Sequence, residues 1–299
     1  MQINDRRIEP GNAFIIAELS GNHCSDLAYT KETISAMAES GADAVKLQTY
    51  TADSLTLDVD NEYFGPRTSG LWKGRKPYDV FTEGALPYDW HGELFEHAHK
   101  NGLACFSSPF DVEGVEFLER FDTPAYKIAS FEIAHVPLLK AVARKGKPVI
   151  VSTGIAGLGD LEAAIQILRE GGCEVALLKC TSAYPAPPEE ANLRSMQTLS
   201  QTFGLPVGVS DHTLGEVVPV VAVALGASII EKHFILDKNI ASADNDFSLD
   251  IEELKLMIDS VRSCEKLLGK VSYDLTKKNI NARHFSRSLF IVKDIKKGE

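Results

Sequence analysis

LPVGVSDHTLGEVVPVVAVALGASIIEKH (205–233) holds two short apolar runs, each closing on a histidine, with a helix-like stretch between them. LPVGVSDH ends in Ser210-Asp211-His212, and ASIIEKH ends in Glu231-Lys232-His233. The intervening segment is too long for a hairpin, so the two runs read as neighbouring parallel strands joined by a helical crossover. Both imidazoles then sit at the same rim. Two histidines with carboxylates beside them can share one divalent metal. The competing assignment is one hydrogen-bonded core histidine and one on the surface, since only two protein nitrogens are in view.

The same unit recurs along the chain. Short apolar runs stand at 14–18, 43–47, 103–106, 125–129, 148–152, 175–179, 206–210 and 228–231. Helix-like stretches follow at 26–40, 89–101, 111–121, 136–145, 158–170, 191–203, 215–225 and 250–268. Turn signals such as Ser40-Gly41, Asn101-Gly102, Gly171-Gly172, Gly204 and Gly226 precede several of the runs. Eight strand–helix repeats predict an α/β fold of the (β/α)8 TIM-barrel type. A doubly wound sheet is the alternative, but it would want a Gly-rich phosphate loop after the first strand, and AELSGNH (17–23) is not GxGxxG.

Composition narrows the class. The chain has 299 residues, 44% hydrophobic and 24% charged, as in ordinary soluble domains. A formal net charge of −11 argues against nucleic acid and anionic membrane as partners. No apolar run reaches a membrane span, and nothing before Phe14 reads as a signal peptide. Five cysteines, odd in number and without CxxC spacing, read as reduced cytoplasmic thiols.

Every apolar run ends in polar residues: Glu18; Lys46 with Gln48; Ser107 with Ser108; Lys127 with Ser130; Ser152 with Thr153; Lys179 with Thr181 and Ser182; Ser210 with His212; Glu231 with His233. In a barrel these converge on the rim where catalysis sits. Lys46 and Lys127 lie in apolar contexts, DAVKLQ and AYKIAS. With Ser130, Ser152 and Ser210 they suit an anion carrying both phosphate and carboxylate. Salt bridges to barrel glutamates, or a Schiff-base role for Lys127, are the rival readings.

Other features carry less. Residues 50–88, too long and aromatic-rich for an ordinary βα loop, form either a wall over the rim or packing on its side, with Arg67, Trp72 and Lys73 as the candidate ligand-facing members. Tyr184, in a proline-stiffened loop, faces the pocket or packs on the rim. His23 is a weak candidate for a third metal ligand; His91, His97 and His99 read as surface residues.

The segments IIAELSGNH (15–23), GADAVKLQTY (41–50), FSSPFD (106–111), PAYKIASFEI (124–133), PVIVSTGIA (148–156), LLKCTSAYPAP (177–187), GLPVGVSDHTLG (204–215) and IIEKHFILD (229–237) resemble the sialic acid synthase family of phosphoenolpyruvate-condensing barrels. KLQTY, AYKIASFEI and CTSAYPAP bring the chain closest to its pseudaminic acid branch; the N-acetylneuraminic and legionaminic branches share the skeleton. The resemblance implies a cytoplasmic homodimeric transferase acting on phosphoenolpyruvate and an amino sugar. It implies a divalent ion, Mn2+ or Mg2+, on His212 and His233, and phosphoenolpyruvate on Lys46, Lys127, Ser108, Ser130, Ser152 and Ser210. Glu18 would lie near the aldehyde and the attacking water, and Gln48, Tyr184, Glu231 and Asp244 on the sugar or metal side. Ser182 stands where sialic acid synthases have asparagine. Residues 1–280 are expected as the barrel domain. Residues 281–299 are expected as linker plus the truncated start of an antifreeze-like domain, with RSLFIVKDIKKGE (287–299) as its opening strand. The stretch 240–244 lacks the family's Gly-Pro, which loosens the assignment of Asp244. A non-catalytic sugar-binding barrel and a Schiff-base aldolase remain the alternatives.

Overall fold

The structure, a computed structural model, describes residues 1–299 except Leu71, Ala241 and Ala243. It divides into a unit Met1–Leu268 and a unit Gly269–Glu299. The first is a closed barrel of eight parallel strands in sequence order. These are β1 (Phe14–Glu18), β2 (Ala44–Thr49), β3 (Ala104–Pro109), β4 (Tyr126–Ile128), β5 (Val149–Ser152), β6 (Val175–Cys180), β7 (Val207–Asp211) and β8 (Ile229–His233). The helices that follow them are α1 (Leu27–Glu39), α2 (His91–Lys100), α3 (Val112–Leu118), α4 (Val136–Ala143), α5 (Leu158–Glu170), α6 (Ser195–Phe203), α7 (Val217–Ala224) and α8 (Ile251–Leu268).

Local chemistry sets the boundaries. Asp26 caps α1 by accepting from the N–H groups of Ala28 and Tyr29. Asp111 caps α3 through the Gly114 N–H. Gly204 stops α6 in the left-handed region, at φ 63°, where a side chain would be strained. The helix expected over 191–203 begins at Ser195, because Pro188–Glu190 forms a separate 3-10 turn. Within 50–88, Ala52–Leu55 and Pro77–Gly84 are helical, the latter opened by its proline.

Alternation along the strands separates two cores. Outward residues such as Ile15, Val45, Leu47, Val149 and Leu177 pack under the helices against Ile34, Leu94, Leu138 and Leu168. Inward residues Phe14, Ile16, Phe106, Ile150, Leu178 and Ile229 fill the lower barrel. The hairpin formed by Gln2–Ile3 and Arg6–Arg7 adds Ile3 and Ile8 to that inner layer and closes the bottom. Going up each strand, the inward face turns from apolar to polar: Ile16 to Glu18, Ala44 to Lys46, Phe106 to Ser108, Ala125 to Lys127, Ile150 to Ser152, Ile229 to Glu231. That reversal builds the site.

From Gly269 onward every residue is exposed, and the unit break falls before the 280/281 boundary read from the sequence. The second unit holds a helix, Lys277–Ala282, and no strand among its described residues. No strand is assigned over 287–299, where the sequence reading expected one.

Candidate active site

Four charged residues on β1, β2, β4 and β8 meet in the upper barrel, all buried. Lys46 Nζ lies 2.7 Å from Glu18 Oε2 and 3.4 Å from Glu231 Oε2. Lys127 Nζ lies 3.5 Å from Glu231 Oε1. Burial works against the Lys46 charge, but Glu18 and Glu231 outweigh it and hold this ammonium above its ordinary value. Lys127 goes the other way: burial, with Lys46 close by, holds it below. Burial opposes the Glu231 carboxylate too, yet Lys127, Lys46 and the Ser210 hydroxyl keep it well below the usual carboxylate range. The salt-bridge reading of the lysines thus holds for both residues, and it leaves their charges balanced by glutamate.

Hydroxyls ring this core. Lys127 Nζ donates to Ser152 Oγ (2.7 Å), Lys46 Nζ approaches Ser108 Oγ (3.5 Å), and Ser210 Oγ donates to Glu231 Oε1 (2.8 Å). Gln48 Nε2 donates to Glu18 Oε1 (2.8 Å) and Ser20 Oγ (3.1 Å). Ser130 Oγ accepts the Gly154 N–H at 3.1 Å. Gly154 leaves room beside this bond: a Cβ there would stand 2.1 Å from Ser182 Oγ and 2.7 Å from Ser130 Oγ.

The two histidines face each other, with ring centroids 5.2 Å apart, and Phe247 packs against both. Tyr184 lies over His212, with centroids 4.3 Å apart, rather than away from the pocket. His212 Nδ1 donates to the Thr181 carbonyl at 3.0 Å, so in the neutral ring the lone pair is on Nε2. His233 Nδ1 is buried and has no hydrogen-bond partner among the described residues; the nearest carboxylate oxygen, Asp244 Oδ2, is 3.6 Å away. An oriented imidazole beside an orphaned one, with carboxylates at hand, fits a divalent cation. No cluster of three or more ligating side chains occurs among the described residues.

Other sequence assignments resolve differently. His23 is no ligand, because both ring nitrogens are taken: Nε2 by the Gly84 carbonyl and Nδ1 by the Ser25 N–H, each at 3.1 Å. His91 is buried rather than superficial, bonded through Nε2 to Thr49 Oγ1 at 2.9 Å. Trp72 packs edge-on against Phe81 within the insertion, and Arg67 and Lys73 are exposed.

Two residues escaped sequence reasoning. Glu132, in the 3-10 turn after β4, is mostly buried, and burial pushes its carboxyl up to about 7 against the pull of Lys127 and Lys46. An acidic residue just past a strand end was the available signal. Burial works against a Cys180 thiolate, but His212, Ser130 and Lys127 outweigh it and bring the thiol down to about 7. Its position as the last residue of β6 was the clue.

Known proteins resemble the chain in sequence and in fold. The NeuB family profile matches residues 33–273. A pseudaminic acid synthase of Campylobacter jejuni is 50% identical over 96% of this chain and 83% of its own. One of Helicobacter pylori is 45% identical over 95% and 84%. The solved N-acetylneuraminic acid synthetase of Leptospira borgpetersenii, in complex with citrate, superposes with a TM-score of 0.84 at 29% identity, covering 95% of each chain. Matched over most of its length in sequence and in fold, the chain belongs to the NeuB family.

Proposed function

We propose that this chain is a pseudaminic acid synthase: it condenses phosphoenolpyruvate with 2,4-diacetamido-2,4,6-trideoxy-altrose and water, and releases phosphate. The observation that carries the reading is the buried pair Lys46 and Lys127, with charges already balanced by Glu18 and Glu231, beside a histidine pair suited to a cation. Two lysines so balanced cannot by themselves neutralise a phosphate and a carboxylate, and a cation held by the histidines would supply the missing positive charge.

A divalent ion, Mn2+ or Mg2+, held by His212 and His233 would polarise the sugar aldehyde. Lys46, Lys127, Ser108, Ser130, Ser152 and Ser210 hold phosphoenolpyruvate so that its C3 faces that carbon. The new bond joins C3 to the aldehyde carbon, and positive charge develops at C2 of the pyruvyl unit. Glu18, hydrogen-bonded to Gln48, orients the water that adds at C2 and takes its proton. The proton taken by Glu18 ends on the alkoxide left at the former aldehyde carbon; the C2–O bond to phosphate then breaks as the C2 hydroxyl gives up its proton and becomes the ketone. Glu132, whose carboxyl burial raises to about 7 and whose Oε2 is buried without a hydrogen-bond partner among the described residues, is the candidate to protonate the departing phosphate. Gln48, Tyr184, Ser182, Glu231 and Asp244 line the sugar and cation side.

Substrate choice is the test. Phosphate release should be faster with the altrose sugar than with N-acetylmannosamine, and the reverse order would remove the branch assignment. A homodimer and a cytoplasmic setting, in which the five free thiols stay reduced, belong to the same proposal. Sedimentation at micromolar protein tests the dimer. Among the described residues no helix is long and apolar enough to cross a membrane.

A further inference from the structure

Lys232 and Asp211 lie between residues of the site in sequence but on the outer face of β8 and β7. Lys232 is 0% exposed and Asp211 4%. They are partners in register across the two strands, and Lys232 Nζ stands 2.6 Å from Asp211 Oδ2. The same ammonium donates to the Thr213 carbonyl, and Asp211 Oδ1 accepts the Thr213 N–H at 2.9 Å. The residue after His212 is thus gripped at both of its peptide groups. The His212 carbonyl accepts the Ala186 N–H at 2.9 Å, which anchors this segment from the other side. On β8, Lys232 is flanked by Glu231 and His233, which point into the pocket.

An ion pair this deeply buried is a poor source of stability, because desolvation offsets much of its attraction. Two apolar side chains would suit a strand–helix interface as well. What they lack is directional bonds to the backbone beside a histidine. The mechanism above uses neither Lys232 nor Asp211.

We propose that Lys232 and Asp211 are positioning residues: their pair clamps Thr213 across β7 and β8 and so fixes His212 relative to His233 for one divalent cation. The inference rests on the metal reading of those histidines and adds what sets their separation.

Calorimetric titration of the metal-free full chain with Mn2+ tests it, using wild type, Lys232→Met, and the apolar pair Asp211→Leu/Lys232→Met. The double variant keeps the measurement available if Lys232→Met does not fold. Mn2+ affinity should fall about 10-fold or more in the variants while far-UV circular dichroism is unchanged, in line with the loss of groups that orient metal ligands. A purely structural pair would lower the melting temperature and leave ion affinity of the folded protein intact, and that result overturns the clamp alone. Failure of the wild type to bind Mn2+ overturns the metal reading and the clamp with it.

Discussion

Gly154 and Ser182 stand so close that a Cβ on the glycine would come within 2.1 Å of the serine oxygen. The space kept free lies beside the Ser130 hydroxyl that accepts the Gly154 N–H. Gly154→Ala should therefore push Ser130 and Ser182 out of line and raise the KM for phosphoenolpyruvate about tenfold, equivalent to roughly 1.4 kcal/mol. Steady-state kinetics checks this; an unchanged KM would mean the hydroxyls do not contact that substrate.

Losing His212 should separate chemistry from folding. His212→Ala is expected to remove bound divalent ion and turnover and to leave the barrel's circular dichroism intact, because the site sits above a continuous apolar core. Metal analysis of both purified proteins decides it. Equal metal content would return this imidazole to a packing role.

Lys127 invites a rival chemistry. Burial holds its ammonium below the ordinary value, a property of imine-forming lysines. Its Nζ, however, already donates to Ser152 at 2.7 Å and faces Glu231, as suits a charged anchor. Borohydride reduction in the presence of pyruvate should leave the protein's mass unchanged. A stable adduct at Lys127 would establish the Schiff-base reading instead.

Glu132 gives a pH signature. Its carboxyl is raised to about 7 by burial, so between the ordinary value of 4.5 and about 7 the folded chain binds more protons than the unfolded one. Stability then declines as pH rises through this window, because ionising the buried group opposes folding. Glu132→Gln should remove the decline, so its stability relative to wild type improves from pH 5 to pH 8 by an amount on the order of 1–3 kcal/mol. If Glu132 also protonates the leaving phosphate, kcat of the wild type falls above about pH 7 and the variant lacks that limb. Denaturant melts and pH–rate profiles read the two effects separately.

The barrel was legible because each strand carries its own record. FIIAE and VIVS are nearly all apolar, as strands covered on both faces must be, and each ends in a polar residue that faces the pocket. Residues 50–88 were less readable, since the short helices there bury few side chains and leave little periodicity. Glu132 was invisible for another reason. Its raised carboxyl is what burial leaves after the opposing pull of Lys127 and of Lys46, which arrives from a different strand. The pairing of Lys232 with Asp211 is equally non-local: only the register of β7 against β8 brings them together.

The hairpin plug carrying Ile3 and Ile8 makes the pocket a cul-de-sac. Traffic has a single doorway, at the strand C-terminal end. Along β2, Lys46 lies two residues deeper than Gln48, about 7 Å at the usual rise per strand residue. A molecule seated on the lysines is thus blocked in by whatever occupies the Gln48 level. If phosphoenolpyruvate sits on the lysines as proposed, entry and exit become a queue: it goes in before the sugar, and the phosphate stays until the bulky product has cleared the threshold.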